Sequence, residues 1–186
     1  MKPNKIVIAL LMLAFILLRC LTISAQSYTS SNITSSFYSK TPIEDIKASS
    51  SKTTAVIISN SGEFAFQVSI KSFEFEKKLM QEHFNENYLE SDKYPTASFK
   101  GKIEPNISWT TDGVYTTTAK GILMVHGQGR ARNIPVKITL KDKQATIEAN
   151  FDVACVDHNI KIPTLVFTKI AKIINVKVNG TLNQKP

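Results

Sequence analysis

The chain has 186 residues, a formal net charge of +8, three histidines and only two cysteines. This length suits one domain with a substantial core, and the cysteine count excludes a disulfide-framed miniprotein. The positive balance does not gather into a basic stripe interleaved with aromatics, so nucleic acid is not an expected partner.

Lys2 and Lys5 precede an apolar run from Ile6 to Leu18, and the small residues Ser24 and Ala25 precede Gln26. This is the layout of a secretory signal peptide over residues 1–25, with cleavage expected after Ala25. The run is too short for a membrane span, which needs roughly 20 apolar residues. Bulky Arg19 stands where a lipid-modified Cys20 would need a small residue, so a free, soluble product is expected, periplasmic or secreted. Cleavage removes Lys2, Lys5, Arg19 and Cys20, which leaves Cys155 without an intrachain disulfide partner. The stability of the domain over residues 26–186 must then come from its core.

From Ser27 to Ser51 the chain is rich in Ser and Thr, and an opening strand and a loop are expected. Phe64, Phe66, Val68 and Ile70 then alternate with Ala65, Gln67 and Ser69, the period of a half-buried strand. Phe73 and Phe75 continue in the opposite phase, which predicts a bulge or bend at Lys71-Ser72. Residues 76–89 change to helical spacing, with Leu79, Met80, His83, Phe84 and Tyr88 on the apolar stripe. Ser91 to Pro95 breaks this pattern, and Ala97, Phe99 and Ile103 begin another strand.

Thr111-Asp112-Gly113 predicts a hairpin turn, because Asp-Gly readily takes positive φ. Tyr115, Ala119, Leu123 and Val125 share one face of the next strand, which Gly127-Gln128-Gly129 ends. Ile134 to Leu140, Ala145 to Val153 and Ile173 to Leu182 alternate in the same way. About eight strands and one short amphipathic helix, without repeated βα units, predict an all-β, lipocalin-like antiparallel barrel.

The segment Met80-Gln81-Glu82-His83-Phe84-Asn85-Glu86-Asn87-Tyr88-Leu89-Glu90-Ser91-Asp92-Lys93-Tyr94-Pro95-Thr96-Ala97-Ser98-Phe99-Lys100-Gly101 resembles the YceI-like family of lipid and polyisoprenoid binders. That family's short helix, Lys-Tyr-Pro turn and small-x-Phe strand are matched without gaps. Gly121-Ile122-Leu123-Met124-Val125-His126-Gly127 is similar to its next signature strand. The resemblance implies an extended barrel with a helix at one opening and a long apolar chain in the lumen. It departs at Gly127-Gln128-Gly129-Arg130, which is looser and more basic than the family pattern, and over Thr41 to Thr54.

Aromatic residues concentrate between residues 64 and 99, but composition alone does not distinguish a filled core from an apolar pocket. With the resemblance added, the expected ligand-binding residues are Phe64, Phe66, Phe75, Met80, Phe84, Tyr88, Phe99, Leu123 and Val125. The expected ligand is a polyisoprenoid or fatty-acyl lipid held for transport, storage or sequestration. A homodimer is left open. Each buried CH₂ contributes about 0.8 kcal/mol, so no polar anchor is required. Met124 is a second candidate for adaptable lining.

No catalytic, metal or cofactor residues are assigned. His83, His126, His158, Asp157 and Cys155 form no HExxH, GxSxG, phosphate-loop or zinc spacing. Two other readings stay open. In one, an envelope interaction protein has a side-chain-filled barrel. In the other, an enzyme acts on lipid through a histidine that meets a carboxylate at the pocket mouth.

Overall fold

The computed structural model describes residues 26–162 and 170–185, and the expected signal peptide lies outside them. Among the described residues, nine strands form one antiparallel sheet: β1 (Ser27–Lys40), β2 (Asp45–Ile58), β3 (Glu63–Ser69), β4 (Glu74–Phe75), β5 (Thr96–Glu104), β6 (Gly113–Val125), β7 (Gln128–Lys141), β8 (Gln144–Ala154) and β9 (Ile173–Lys185). The order β1-β9-β8-β7-β6-β5-β3-β2 closes on itself because β1 also pairs with β2, giving an eight-stranded barrel. The two-residue β4 adds to the first half of β2, through Ala48 and Ser49. Strands of 13 to 14 residues, tilted as in other small barrels, give a wall roughly 30 Å tall.

Alternation places the expected residues inside. On β7, Ile134, Val136, Ile138 and Leu140 are all buried, while Lys137 between them is exposed. Tight turns at His126-Gly127 and Asp142-Lys143 connect β6 to β7 and β7 to β8, with positive φ at all four residues. Two positive φ angles in a two-residue connection match the right-handed twist of the paired strands.

The opening segment differs from expectation. Instead of a strand and a loop, residues 27–58 form two 14-residue strands with only residues 41–44 between them. Ser and Thr read as loop formers when isolated. Here their hydroxyls pair across the strands, as Ser35 Oγ and Thr53 Oγ1 do at 2.7 Å, so the ladder tolerates them. The expected turn at Thr111-Asp112-Gly113 is also displaced. Residues 105–112 form a longer loop and Gly113 already pairs with Leu140.

That loop closes one end of the barrel. It folds Trp109 inward, where the indole Nε1 donates to Asn106 Oδ1 at 2.9 Å and Tyr28 Oη donates to the Trp109 carbonyl at 3.1 Å. Asn106 Nδ2 in turn donates to the Ser59 carbonyl at 3.1 Å, tying the plug to the turn after β2.

At the opposite end, the predicted bend is a 3₁₀ turn at Ile70–Ser72 that swings Phe73 and Phe75 toward the lumen. α1 (Lys78–His83) follows and continues as a π-helical turn over Phe84–Tyr88. Only the row Met80, Phe84 and Tyr88 faces the barrel, with Leu89 buried behind it. Leu79, 62% exposed, and His83 lie on the neighbouring row and face outward, contrary to the predicted stripe. A helix this short, lying across the rim, buries one row of side chains.

Candidate ligand-binding cavity

Eight strands make a barrel that side chains can just fill, so the inward residues decide whether a void remains. Here several are small. Ala97, Ala119 and Ala149 line the interior, and Gly101 faces Gly121 across β5 and β6. The strand backbones approach so closely there that a Cβ on Gly121 would lie 2.1 Å from the Lys100 carbonyl oxygen. A cavity of about 260 Å³ is left.

Its wall is apolar. All nine sequence-predicted residues, Phe64, Phe66, Phe75, Met80, Phe84, Tyr88, Phe99, Leu123 and Val125, line it. At the end near the helical segment the wall holds a packed aromatic cluster centred on Phe37, whose ring lies 5.4 Å from Phe73, 5.7 Å from Phe75 and 5.2 Å from Phe84. Deeper, Phe64 packs on Phe66 and Phe99 with ring centroids 6.0 and 4.9 Å away. Met124 instead points outward, since it occupies the other phase of β6 from Leu123 and Val125.

The far wall was not assigned from sequence. Ala149, Phe151 and Val153 of β8 and Ile174, Val176 and Val178 of β9 line the same cavity. Their alternation was visible in the sequence. What could have marked them was their continuity in phase with the aromatic strands, combined with the small residues that leave space.

The polar residues of the mouth form a cluster of their own. His126 donates from Nδ1 to the His158 carbonyl at 3.0 Å, and its Nε2 lies 2.6 Å from Glu90 Oε2. The Tyr94 ring stands edge-on to His126 at 4.6 Å and packs over Gly127, where an added Cβ would meet it at 2.5 Å. Lys93-Tyr94-Pro95 and His126-Gly127, far apart in sequence, therefore form one contact that holds the end of the helical segment to the β6–β7 turn.

The His158 ring is fully buried. Its Nδ1 donates to the Gln128 carbonyl at 3.0 Å, and Nε2 has no partner among the described residues. Burial holds its pKa below the ordinary 6.5, because protonation would place a charge in dry surroundings. Burial likewise raises the pKa of the Cys155 thiol, which suits an inert wall residue.

A histidine thus does meet a carboxylate, as a catalytic reading requires, but His126, Glu90 and His158 are not part of the cavity lining. Among the described residues, no three His, Cys, Asp or Glu side chains gather to hold a metal. No described helix is long and apolar enough to cross a membrane.

A family model described as the YceI-like domain matches residues 22–182. No curated protein matches the sequence. Among solved structures, a polyisoprenoid-binding domain from Saccharophagus degradans, implicated in plant cell wall breakdown, is similar with a TM-score of 0.72 at 12% identity, covering 87% of this chain and 99% of its own. BcnA of Burkholderia cenocepacia is similar with a TM-score of 0.68 at 16% identity, covering 80% of this chain and 95% of that one. The YceI protein of Campylobacter jejuni is similar with a TM-score of 0.60 at 16% identity, covering 75% and 85% respectively. At these identities the likeness establishes the fold.

Proposed function

The chain belongs to the YceI-like domain family, and from that membership we propose that it is an exported binding protein holding a polyisoprenoid or other long-chain lipid in its lumen. The observation that carries this reading is the apolar cavity of about 260 Å³, kept open by small residues where larger ones would have filled the barrel. Void space in a core sacrifices dispersion contacts, and an apolar chain in the lumen would restore them.

An aromatic cluster at one end and the Trp109 plug at the other suit a chain lying lengthwise, from Phe84 and Phe75 toward Phe64, Phe99 and Leu123. The binding need not involve catalysis. The histidine that meets a carboxylate is engaged in fixing the mouth, and the thiol in the wall has its pKa raised by burial.

The signal-like residues 1–25 favour export to the periplasm or the medium, where a water-insoluble chain needs a carrier. Purified protein from the native compartment should begin at Gln26 by intact mass. Organic extraction followed by mass spectrometry should recover about one lipid per chain. If no lipid is recovered, and the extracted protein binds no fluorescent long-chain probe, the reading fails.

A further inference from the structure

Resting on the lipid-holding reading, we propose that Ser35 and Thr53 form a hydrogen-bond donor site in the lumen wall. It recognises a neutral acceptor oxygen, such as a ketone or ester carbonyl, carried by the long-chain ligand.

β1 and β2 slip register twice, between Ser30 and Ile33 and between Ile33 and Ser35. These irregularities bring Ser35 and Thr53 onto the inner face together, 6% and 2% exposed, and both line the cavity. Their hydroxyl oxygens are 2.7 Å apart.

Proton bookkeeping then leaves a remainder. Two hydroxyls carry two protons, and the contact between them uses one. Neither makes another hydrogen bond among the described residues. The nearby pair of Ser50 and Ser72 is fully matched by contrast: their hydroxyl oxygens lie 2.7 Å apart, and Ser72 Oγ donates onward to the Ser69 carbonyl at 2.6 Å. One hydroxyl proton of the Ser35–Thr53 pair is therefore left without a partner beside the cavity. A wall meant only to be greasy would be better served by Ala and Val at these positions, since burying a hydroxyl without its partner is unfavourable.

The surroundings define the class of acceptor. Among the described residues no Asp, Glu, Lys, Arg or His lines the cavity, so an ionised carboxylate or phosphate at this depth would lack a counter-charge. A neutral oxygen needs only the donor. Ser35 lies two residues from Phe37, the centre of the aromatic cluster, so the oxygen would sit beside that cluster while the hydrocarbon continues toward Ile57 and Ile138.

The test compares geranylgeranylacetone, a prenyl methyl ketone, with the hydrocarbon that lacks its oxygen. Both are titrated into delipidated wild type and the S35A/T53V variant. Wild type should bind the ketone about fivefold more tightly, and the variant should bind the two equally. The variant should melt no lower than wild type, since both partners of the pair are replaced by apolar groups of similar shape. If the variant fails to fold, isotope-edited infrared spectroscopy of the carbonyl in wild type gives a second readout. A hydrogen-bonded carbonyl shifts to lower frequency than the same ketone in alkane. Equal binding of both probes by wild type, or an unshifted carbonyl, overturns the donor site and leaves the lipid reading standing. Failure of wild type to bind either probe overturns the lipid reading and the donor site with it.

Discussion

Ala149→Phe fills the lumen without altering its rim. Ala149 lies on the inner face of β8, paired with Val136 and Val178, and all three line the cavity. A phenyl ring needs a void on the order of 150 Å³, the size that admits benzene. More than half of the roughly 260 Å³ would be taken. Excluding four methylenes of a bound chain costs about 3 kcal/mol at ~0.8 kcal/mol each, or about 200-fold in Kd. The apo protein should not be destabilised, because the ring occupies empty apolar space and does not overpack a filled core. Displacement of a fluorescent long-chain probe, alongside thermal melting, measures both effects. Retained probe affinity in a folded A149F protein would refute the lumen as the binding site. A large loss of stability would refute the claim that space is there to fill.

Other perturbations separate scaffold from site. Phe73→Ala removes a ring only 7% exposed that packs on Phe37 and Phe84, and should cost about 3 kcal/mol by urea unfolding, with faster amide exchange at the helical segment. Gly121→Ala would drive a Cβ to within 2.1 Å of the Lys100 carbonyl oxygen, forcing β5 and β6 apart and costing about 2–3 kcal/mol in the same assay. His158 predicts a pH effect. Its folded pKa lies below the ordinary 6.5, so the unfolded chain takes up the proton first, and stability present above about pH 6.5 is lost as pH falls toward the folded value. His158→Gln should flatten that part of the profile of melting temperature against pH, and an unchanged slope would assign the acid sensitivity to other groups.

The helical segment shows how far local pattern reaches. Spacing located the helix and identified Met80, Phe84 and Tyr88 as its apolar row, yet it also enrolled Leu79 and His83, which face outward. Which of two adjacent rows meets the barrel depends on how the helix lies on the rim. The opening hairpin is the converse case. Ser35, Ser50 and Thr53 carry no apolar signal, and they become strand residues only when a partner strand supplies the register and the hydroxyl contacts.

Alternation of period two is a property of the pleat itself, so the sequence alone marked the inward faces of β3 and of β5 to β9, while composition left open whether those faces fill a core or line a pocket. Other features needed the closed barrel. Strand closure through β1 and β2 and the meeting of Tyr94, His126 and Glu90 depend on register and packing between distant segments. The cavity depends on them most of all. Its volume is the small difference between the space eight strands enclose and the side chains that enter it, and Ala97, Ala119 and Ala149 leave that difference open only once the tertiary structure places them around the same space.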